Sequence, residues 1–309
     1  MKKIIIIGHK NPDTDTIVSS LIMEHYYNNI LRLPAKAYRL GELNNETRFV
    51  LERFSMQTPQ LLKKVEEQNV FVLVDHNELS QSVDGLKIGQ IERVVDHHKI
   101  SLQTEVPIFL RIDPIGSTAS VLAKMYMEAG KKIPVNIAKI MLAGILSDTL
   151  NLTSPTTTDM DRKLVKELNK NSKLDLKQFV ADLFLAKSSL KGISPKMLIE
   201  QDYKAFEMGA NKVGIAVWET TNPKSVLCEK ERIIKLLIEK KQQEKLDYII
   251  FALVDIIAQN CVMFIIGEKE KALLQKVFAG KVSGSEMFLP GVVSRKKQIV
   301  PQLTESLTK

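Results

Sequence analysis

The chain has 309 residues, of which 44% are hydrophobic and 26% are charged, and its formal net charge is +8. This composition excludes a disordered chain, and the length is sufficient for two folded domains. The positive charge permits nucleic acid, an anionic membrane or a small anionic substrate as a partner, although no run of consecutive lysines and arginines reaches the length of a nucleic-acid-binding arm. The two cysteines, Cys228 and Cys261, are far apart in the sequence, so we expect no disulfide framework.

The apolar runs of the chain are too short for membrane insertion. The first run, Ile4–Ile7, is ended by Gly8, and the longest later run, Tyr248–Ala258, is interrupted by Asp255. The cysteine usage fits a reducing compartment. We therefore expect a soluble, cytoplasmic protein that does not bind a membrane. We also expect no nucleic acid partner, because the chain has neither a helix–turn–helix motif nor a basic strand with interleaved aromatic residues.

The first hundred residues alternate between short apolar runs and amphipathic stretches. Buried strands are predicted at Lys3–Ile7, Ala35–Arg39, Val70–Val74 and Arg93–Val95. One helix is predicted at Ile17–Leu31 with Thr16 or Asp15 as its N-cap, and a second at Asn45–Phe54, capped from the asparagine pair Asn44 and Asn45. This strand–helix–strand order predicts a parallel sheet with crossover helices.

From Ser117 to about Lys187 the pattern becomes mostly helical. Helices are predicted at Ser117–Ala129, Val135–Thr149, Thr158–Asn169 and Leu176–Lys187. The stretch Lys187–Pro195 follows, and its serine, glycine and proline residues are typical of a linker. We therefore predict an N-terminal domain over residues 1–187, a linker over 188–195 and a smaller C-terminal domain over 196–309.

The C-terminal part has the pattern of a second α/β domain with a mixed sheet. Its predicted strands are Tyr203–Met208, Lys212–Trp218, Tyr248–Leu253 and Val262–Ile266. A long helix is predicted at Ser225–Lys245 and a shorter one at Lys269–Phe278. The fold class expected for the whole chain is α/β, with a parallel-sheet domain followed by a smaller mixed-sheet domain.

Histidines and aspartates are concentrated just beyond the predicted strands of the first domain. They are His9, Asp13 and Asp15 after the first strand, Asp75 and His76 after the third, and Asp96, His97 and His98 at the fourth. A further carboxylate, Asp148, follows the apolar helical run Ile137–Leu146. Ligands of open α/β sheets bind beyond the carboxyl ends of the strands, so these side chains are expected to converge there.

Imidazole and carboxylate groups together suit manganese, cobalt or magnesium, whereas a thiolate site would need cysteines that the chain does not place there. Several carboxylates in one crevice repel each other unless cations neutralise them. Two metal ions about 4 Å apart, bridged by a carboxylate and a water, are the usual arrangement for phosphoryl hydrolysis. The sequence therefore predicts a two-metal phosphohydrolase.

The C-terminal domain has no histidine, so it cannot supply imidazole ligands. Its notable segment is Leu289–Gln298, in which Ser294 is expected to cap a final helix that starts with Arg295, Lys296 and Lys297. Cations at a helix N-terminus oppose the helix dipole, and an anion bound there would offset this repulsion. The segment is either an anion-binding site or a solvated basic turn.

The motifs together resemble one known family, the family II, manganese-dependent inorganic pyrophosphatases of the DHH superfamily. The residues that carry the resemblance are His9-x3-Asp13-x-Asp15, Asp75-His76-Asn77, Asp96-His97-His98, Gly116-Ser117-Thr118 and Ser294-Arg295-Lys296-Lys297. The resemblance covers the whole chain. The Asp-His-His motif marks the superfamily, and the Ser-Arg-Lys-Lys motif points to pyrophosphatase.

The resemblance implies hydrolysis of pyrophosphate to two phosphates by a metal-bridged hydroxide, at a dinuclear manganese site between two domains. One manganese would be bound by His9, Asp13, Asp75 and Asp148, and the second by Asp15, Asp75, His97 and Asp148, with Asp75 and Asp148 as bridges. Cobalt or magnesium would substitute for manganese, and a further magnesium would enter with the substrate. The resemblance also implies a homodimer.

The same resemblance assigns the remaining groups of the site. It gives catalytic roles to Asp13, Asp75 and His98, and substrate binding to His98, Lys204, Arg295 and Lys296. Asp96 and His76 would orient the ligands.

Three alternative functions are weighed against pyrophosphatase. A DHH-type phosphodiesterase acting on short oligonucleotides or cyclic dinucleotides usually has a histidine element in its second domain, which this chain lacks. An exopolyphosphatase needs the same metals and a basic patch, so the motifs do not exclude it. The non-enzyme alternative is a phosphate- or metal-sensing protein on an inactive hydrolase scaffold, which the complete set of ligand positions disfavours.

Overall fold

The structure is a computed structural model that describes residues 3–190 and 192–308. Its contacts divide the chain into two compact units, Met1–Leu183 and Phe184–Lys309. The predicted linker at 188–195 begins within the second unit, and one of its residues, Lys191, lies outside the described residues.

The first unit contains an all-parallel sheet with the strand order β3-β2-β1-β4-β5-β6. The strands are β1 (Ile4–Ile7), β2 (Ala35–Arg39), β3 (Gln60–Leu61), β4 (Val70–Val74), β5 (Ile91–Asp96) and β6 (Phe109–Ile112). The chain runs outward from β1 to β2 and β3, and then returns to the other side of β1 for β4 to β6. The direction of winding therefore reverses between β1 and β4, which is where an open α/β sheet leaves a crevice for a ligand.

Helices cover this sheet and supply much of the core of the first unit. They are α1 (Thr14–Tyr26), α2 (Asn45–Arg53), α3 (Thr118–Glu128), α4 (Val135–Asp148), α5 (Asp159–Ser172) and α6 (Leu176–Lys187), the last of which continues into the second unit. Most side chains of α1 and α4 are buried, because α4 has an apolar run from Ile140 to Leu146 and α1 presents Ile17, Val18 and Ile22 to the interior.

The second unit contains a mixed sheet with the order β11-β12-β10-β9-β8-β7, in which β8 and β9 are parallel and the other pairs are antiparallel. Its strands are β7 (Tyr203–Met208), β8 (Asn211–Thr220), β9 (Tyr248–Asp255), β10 (Asn260–Phe264), β11 (Lys281–Ser283) and β12 (Glu286–Pro290). Its helices are α7 (Pro195–Glu200), α8 (Pro223–Leu227), α9 (Lys230–Gln243), α10 (Glu268–Val277) and α11 (Val300–Thr308). The predicted fold class is confirmed, with a parallel and a mixed sheet in sequence.

Helix α1 differs from its prediction at both ends. It begins at Thr14 instead of Ile17, and its N-cap is Asp13, whose side chain accepts a hydrogen bond of 2.9 Å from the backbone N–H of Thr16. This earlier start also brings Asp15 into the first turn, where a carboxylate interacts favourably with the helix dipole. The α-helix ends at Tyr26 and continues as a π-helical turn to Leu31.

The long helix predicted at Ser225–Lys245 was wrong, because the structure has two helices there. The amide of Cys228 still bonds to the carbonyl of Lys224, but the amide of Glu229 bonds to the carbonyl of Val226, only three residues back. The chain thus makes a tighter, 3₁₀-type turn after α8, and α8 ends there. Helix α9 begins at Lys230.

The structure also adds strands that the sequence pattern did not reveal, namely β3, β6, β11 and β12. Three of these carry exposed or half-exposed side chains at most positions, and β12 alternates between buried and exposed side chains. Over the residues described, no helix combines the length and the apolar character that are needed to cross a membrane.

Candidate metal centre

The crevice at the reversal of the first sheet is lined from two sides by histidine and aspartate. His9 follows β1, and Asp13 and Asp15 lie at the start of α1, so one loop and one helix end supply three donors. The Nε2 atom of His9 lies 3.6 Å from Oδ2 of Asp13 and 3.5 Å from Oδ2 of Asp75. Ligand atoms bound at about 2.1 Å to one transition metal lie roughly 3 to 3.5 Å from each other, so these separations suit a shared ion.

Asp75 follows β4 directly and has a φ of 61°, which is the left-handed region that aspartate adopts only at a cost. Its N–H donates to the carbonyl of Val95 on β5. Its carboxylate accepts a hydrogen bond of 2.5 Å from the hydroxyl of Thr16 on Oδ2, and one of 2.9 Å from the hydroxyl of Thr118 on Oδ1. The strained backbone turns the carboxylate into the crevice, where the side chain is 2% exposed.

The end of β5 supplies two imidazoles. The Nδ1 atom of His97 is 3.0 Å from the carbonyl of Ile115, so its Nε2 faces Asp75 at 3.5 Å and Asp148 at 3.4 Å. The Nδ1 atom of His98 is 2.8 Å from Oδ1 of Asp96, which also accepts from the backbone N–H groups of His97 and His98. Asp96 therefore fixes the orientation of the His98 ring through its Nδ1 atom.

Asp15 is held by the N-terminus of α3. The backbone N–H of Thr118 donates to its Oδ2 at 2.7 Å, and that of Ala119 donates to its Oδ1 at 3.0 Å. Gly144 in α4 lies against the same carboxylate, and a Cβ at this position would lie 2.8 Å from Oδ1 of Asp15. Asp148 is the last residue of α4, so the packing of α4 on α1 brings Asp148 toward Asp15.

Three groups of donor atoms result, and in each group the atoms lie within 4.8 Å of one another. They are His9, Asp13 and Asp75; Asp15, His97 and Asp148; and Asp75, His97 and His98. Every metal ligand inferred from the sequence occurs in these groups. Among the described residues, Asp148 belongs to the second group and not to the group of His9 and Asp13.

The electrostatics of the crevice fit a cation site. Burial would raise the pKa of Asp75, but the imidazoles of His9, His98 and His97 beside it keep that pKa well below its ordinary value. Burial and the neighbouring carboxylates of Asp75, Asp148 and Asp13 raise the pKa of Asp15 well above its ordinary value. Carboxylates that repel each other in this way are stabilised when divalent cations bind between them.

His76 and Asp96 behave differently from the donor groups. Burial lowers the pKa of His76 to about 4, and its Nδ1 lies 2.9 Å from the carbonyl of Val74. Burial would raise the pKa of Asp96, but its hydrogen bond from His98 and the charge of that imidazole lower it. Neither residue belongs to a donor group among the described residues.

The basic residues predicted for substrate binding lie in the second unit. Lys204 is half-buried on β7, and Lys296 is exposed in a π-helical turn, Arg295–Ile299, for which Ser294 is the N-cap as predicted. The guanidinium of Arg295 donates to the backbone carbonyl of Asp202 at 2.8 Å and pairs with its carboxylate at 2.6 Å. Asp202 thus ties Arg295 to the start of the strand that carries Lys204.

Several residues that shape the crevice were not found from the sequence. Thr16 and Thr118 hold Asp75, and Gly144 leaves room for Asp15. The buried carboxylate of Asp161 accepts hydrogen bonds from the backbone N–H of Gly116 and from the hydroxyl of Ser120, and so fixes the loop before α3. The only signal for this loop was its Gly-Ser-Thr motif, because threonine, glycine and aspartate are common residues whose roles here arise from tertiary contacts.

Two family models match the chain and place it in a class. The DHH family, N-terminal domain, matches residues 3–145, and the DHHA2 domain matches residues 181–306. The fold and the donor groups therefore define a two-domain protein of the DHH type. The structure of an exopolyphosphatase-related protein from Bacteroides fragilis, at 15% identity and a TM-score of 0.52 over 99% of this chain and 92% of that one, shares this fold.

Named proteins are similar to this chain over nearly all of its length. A manganese-dependent inorganic pyrophosphatase of Methanocaldococcus jannaschii is 38% identical, with 96% of this chain and 97% of the relative covered. A probable manganese-dependent inorganic pyrophosphatase of Staphylococcus epidermidis is 39% identical with both chains fully covered. A crystal structure assigned to family II inorganic pyrophosphatase from Methanococcus jannaschii superposes with a TM-score of 0.89 at 36% identity, covering 99% of this chain and 100% of that one. The chain belongs to the family of manganese-dependent inorganic pyrophosphatases.

Proposed function

We propose that the chain hydrolyses inorganic pyrophosphate to two phosphates at a dinuclear manganese site in the crevice of the first unit. The observation that carries the proposal is the position of Asp75, because its Oδ2 lies 3.5 Å from His9 and its Oδ1 lies 3.5 Å from His97. One carboxylate thus faces an imidazole from each of two donor groups, as a ligand that bridges two ions does.

In this proposal His9, Asp13 and Asp75 would hold one ion, and Asp15, His97 and Asp148 would hold the second together with Asp75. The implied role of Asp148 as a second bridge, which would add it to the ligands of the first ion, stays a prediction. When bound, the two ions supply Lewis acidity and lower the pKa of a water that they share. The chain itself supplies the geometry: Thr16 and Thr118 fix Asp75, and the N-terminus of α3 fixes Asp15. Cobalt and magnesium are proposed to occupy the same donors, with a further magnesium that enters with the substrate.

His98, Lys204, Arg295 and Lys296 are proposed to bind the phosphates. The Nδ1 atom of His98 faces Oδ1 of Asp96 at 2.8 Å, which leaves Nε2 as the ring atom that would contact a phosphate oxygen. The positively charged side chains of Lys204, Arg295 and Lys296 would neutralise charge on the transferred and leaving phosphates, as in other phosphoryl transfers.

The experiment that tests the function is phosphate release by metal-stripped protein to which manganese, cobalt or magnesium is added. Pyrophosphate, tripolyphosphate and a dinucleotide are compared as substrates. We expect manganese-dependent release from pyrophosphate that exceeds release from the other two. Faster release from tripolyphosphate would instead indicate an exopolyphosphatase, and tight pyrophosphate binding without turnover would indicate a binding protein.

The substrate assignment is tested separately with Lys296→Ala. We expect this variant to bind manganese like the parent, because its lysine lies outside the donor groups, and to lose most of kcat/KM for pyrophosphate. The neighbouring Lys297→Ala serves as the matched control and should lose much less. If Lys296→Ala were as active as the parent, Lys296 would not bind the substrate.

A homodimer and a cytoplasmic location are further proposals that follow from the family and from the cysteines. Both cysteines are free, with Cys261 buried and Cys228 exposed, which suits a reducing compartment. The dimer is supported by the edge strand β6, where Phe109 and Leu110 are 44% and 43% exposed. Ile100 and Val106, just before β6 in the chain, are also exposed.

A further inference from the structure

A carboxylate outside the donor groups is buried in the first turn of α2. Glu46 is 2% exposed, and its neighbours Thr14, Thr47 and Ser147 are also buried. The position at a helix N-terminus makes the negative charge more favourable there, but it does not determine where the two carboxylate oxygens point. The two oxygens point toward hydroxyl groups, from which they accept hydrogen bonds.

The two oxygens of Glu46 bond to two different helices. Its Oε2 accepts from the hydroxyl of Thr14 at 2.9 Å, and its Oε1 accepts from the hydroxyl of Ser147 at 2.9 Å. The hydroxyl of Thr47 adds a contact of 3.1 Å to that of Thr14. Glu46 therefore joins the first residue of α1 to the penultimate residue of α4.

Both of these hydroxyl-bearing residues are next in sequence to proposed metal ligands. Thr14 lies between Asp13 and Asp15, and Ser147 precedes Asp148. Asp15 and Asp148 belong to the same donor group, and two carboxylates held this close repel each other. A contact that holds the start of α1 near the end of α4 opposes this repulsion while the ion is absent.

We propose that Glu46 is a positioning residue that sets the separation of the Asp15 and Asp148 carboxylates through Thr14 and Ser147, and so raises the affinity of the second metal position. The inference rests on the proposed function, in which Asp15 and Asp148 are metal ligands. The carboxylate accepts from both hydroxyls at once. A glutamine side chain has one accepting oxygen and would meet the other hydroxyl with a donating NH2 group, so that hydroxyl would have to turn and accept.

The test is manganese binding to metal-stripped, full-length protein without pyrophosphate, measured by calorimetry and by the electron paramagnetic resonance of free manganese. We expect Glu46→Gln to weaken binding of one ion by roughly tenfold or more, as outer-shell substitutions do. The ion affected should be the one that Asp148→Asn also weakens. Glu52→Gln is the control, because Glu52 lies on the same helix and is exposed.

Ser147→Ala gives a second, independent measure, since it removes one of the two hydrogen bonds and keeps the carboxylate. If Glu46 acts through Ser147, the loss in Glu46→Gln/Ser147→Ala is much smaller than the sum of the two single losses. The thermal unfolding of the metal-free variants is measured alongside, and Ser147→Ala decides the question if Glu46→Gln does not fold.

Two outcomes separate the inference from the proposed function. Unchanged manganese binding in both variants, even with a lower unfolding temperature, would show that Glu46 is only a structural residue. A parent protein that binds no manganese would instead contradict the proposed function, and the inference would fall with it.

Discussion

At the scale of single residues, Asp75 combines a buried carboxylate with a left-handed backbone. It is a buried carboxylate with two hydroxyl donors, and its backbone lies in the left-handed region at φ 61°. An aspartate in this region costs roughly 1 to 2 kcal/mol relative to its favoured conformations. The conformation persists because the strand before it and the hydrogen bond from its N–H to Val95 fix the backbone, and it directs the carboxylate toward His9 and His97.

Two substitutions of Asp75 distinguish the effect of its strained backbone from the effect of its carboxylate. Asp75→Ala and Asp75→Gly both remove the carboxylate, so both should lose manganese binding and hydrolysis. Glycine adopts positive φ without strain, so we expect metal-free Asp75→Gly to be about 1 kcal/mol more stable to urea than Asp75→Ala. Equal stabilities would mean that the backbone relaxes out of the left-handed region when the aspartate is removed.

At the scale of the elements, the structure depends on how closely α1, α3 and α4 approach. Gly144 lies inside α4, and a Cβ there would be 2.8 Å from Asp15, 2.8 Å from Val18 and 2.9 Å from Ala119. In an open helix, glycine to alanine would stabilise by about 1 kcal/mol through helix propensity. Here overpacking opposes that gain, because all three contacts are to atoms of packed helices.

We therefore expect Gly144→Ala to lower the free energy of unfolding by about 1 kcal/mol or more and to weaken manganese binding, because Asp15 is displaced. Urea unfolding and a manganese titration measure the two effects. Gly89→Ala is the control, because a Cβ at Gly89 would have no heavy atom within 4 Å, and it should leave both quantities unchanged. A stabilised Gly144→Ala would show that the three helices can separate at little cost.

A second element contact predicts a pH dependence. Asp113, just after β6, pairs with Arg111 on that strand and with Lys124 on α3. Burial would raise its pKa, but hydrogen bonds from Lys124 and Arg111 lower it below its ordinary value of 3.8. A lowered pKa in the folded state means that the carboxylate stabilises the fold above its ordinary pKa, and that this contribution is lost as the pH falls through the folded value.

Asp113→Asn should accordingly be less stable than the parent at neutral pH, by roughly 0.5 to 1 kcal/mol after solvent screening. The difference should shrink as the pH is lowered through the acid range, as followed by urea unfolding at a series of pH values. Asp84→Asn provides the comparison, since the side chain of Asp84 is almost fully exposed and pairs with Lys10 at the surface. A difference that stayed constant with pH would show that Asp113 acts by packing and not by charge.

Helices and strands differ in how well the amino-acid sequence predicts their bounds. Strands β2 and β4 begin and end where predicted, because each is a short run bounded by polar or turn residues, and α6 was likewise predicted at its bounds. The edge strands β3 and β6 were missed, since an edge strand with exposed side chains has no apolar run. The donors were found because imidazoles and carboxylates at strand ends are unusual, whereas Glu46 gives no sign in the sequence that its carboxylate is buried between two helices.

At the scale of the whole molecule, the proposed homodimer gives a direct prediction. Phe109→Asp places a charge on the exposed edge strand β6, where the guanidinium of Arg93 stacks on the ring of Phe109. We expect the parent to be dimeric by light scattering and the variant to dissociate at a protein concentration at least tenfold higher than the parent does. Phe288→Asp, at a comparably exposed position of β12, should leave the mass unchanged. A monomeric parent would contradict the proposed homodimer, and a dimeric Phe109→Asp would place the interface elsewhere.

The positions of the donor residues along the chain have a consequence for synthesis of the protein. All donors of the three groups lie between His9 and Asp148, whereas Arg295 and Lys296 are translated well after them. N-terminal domains generally fold first on the ribosome, so under the proposed function the nascent first unit would assemble its metal donors before Arg295 and Lys296 are made. A chain that ended between the two units would then be expected to bind manganese without hydrolysing pyrophosphate.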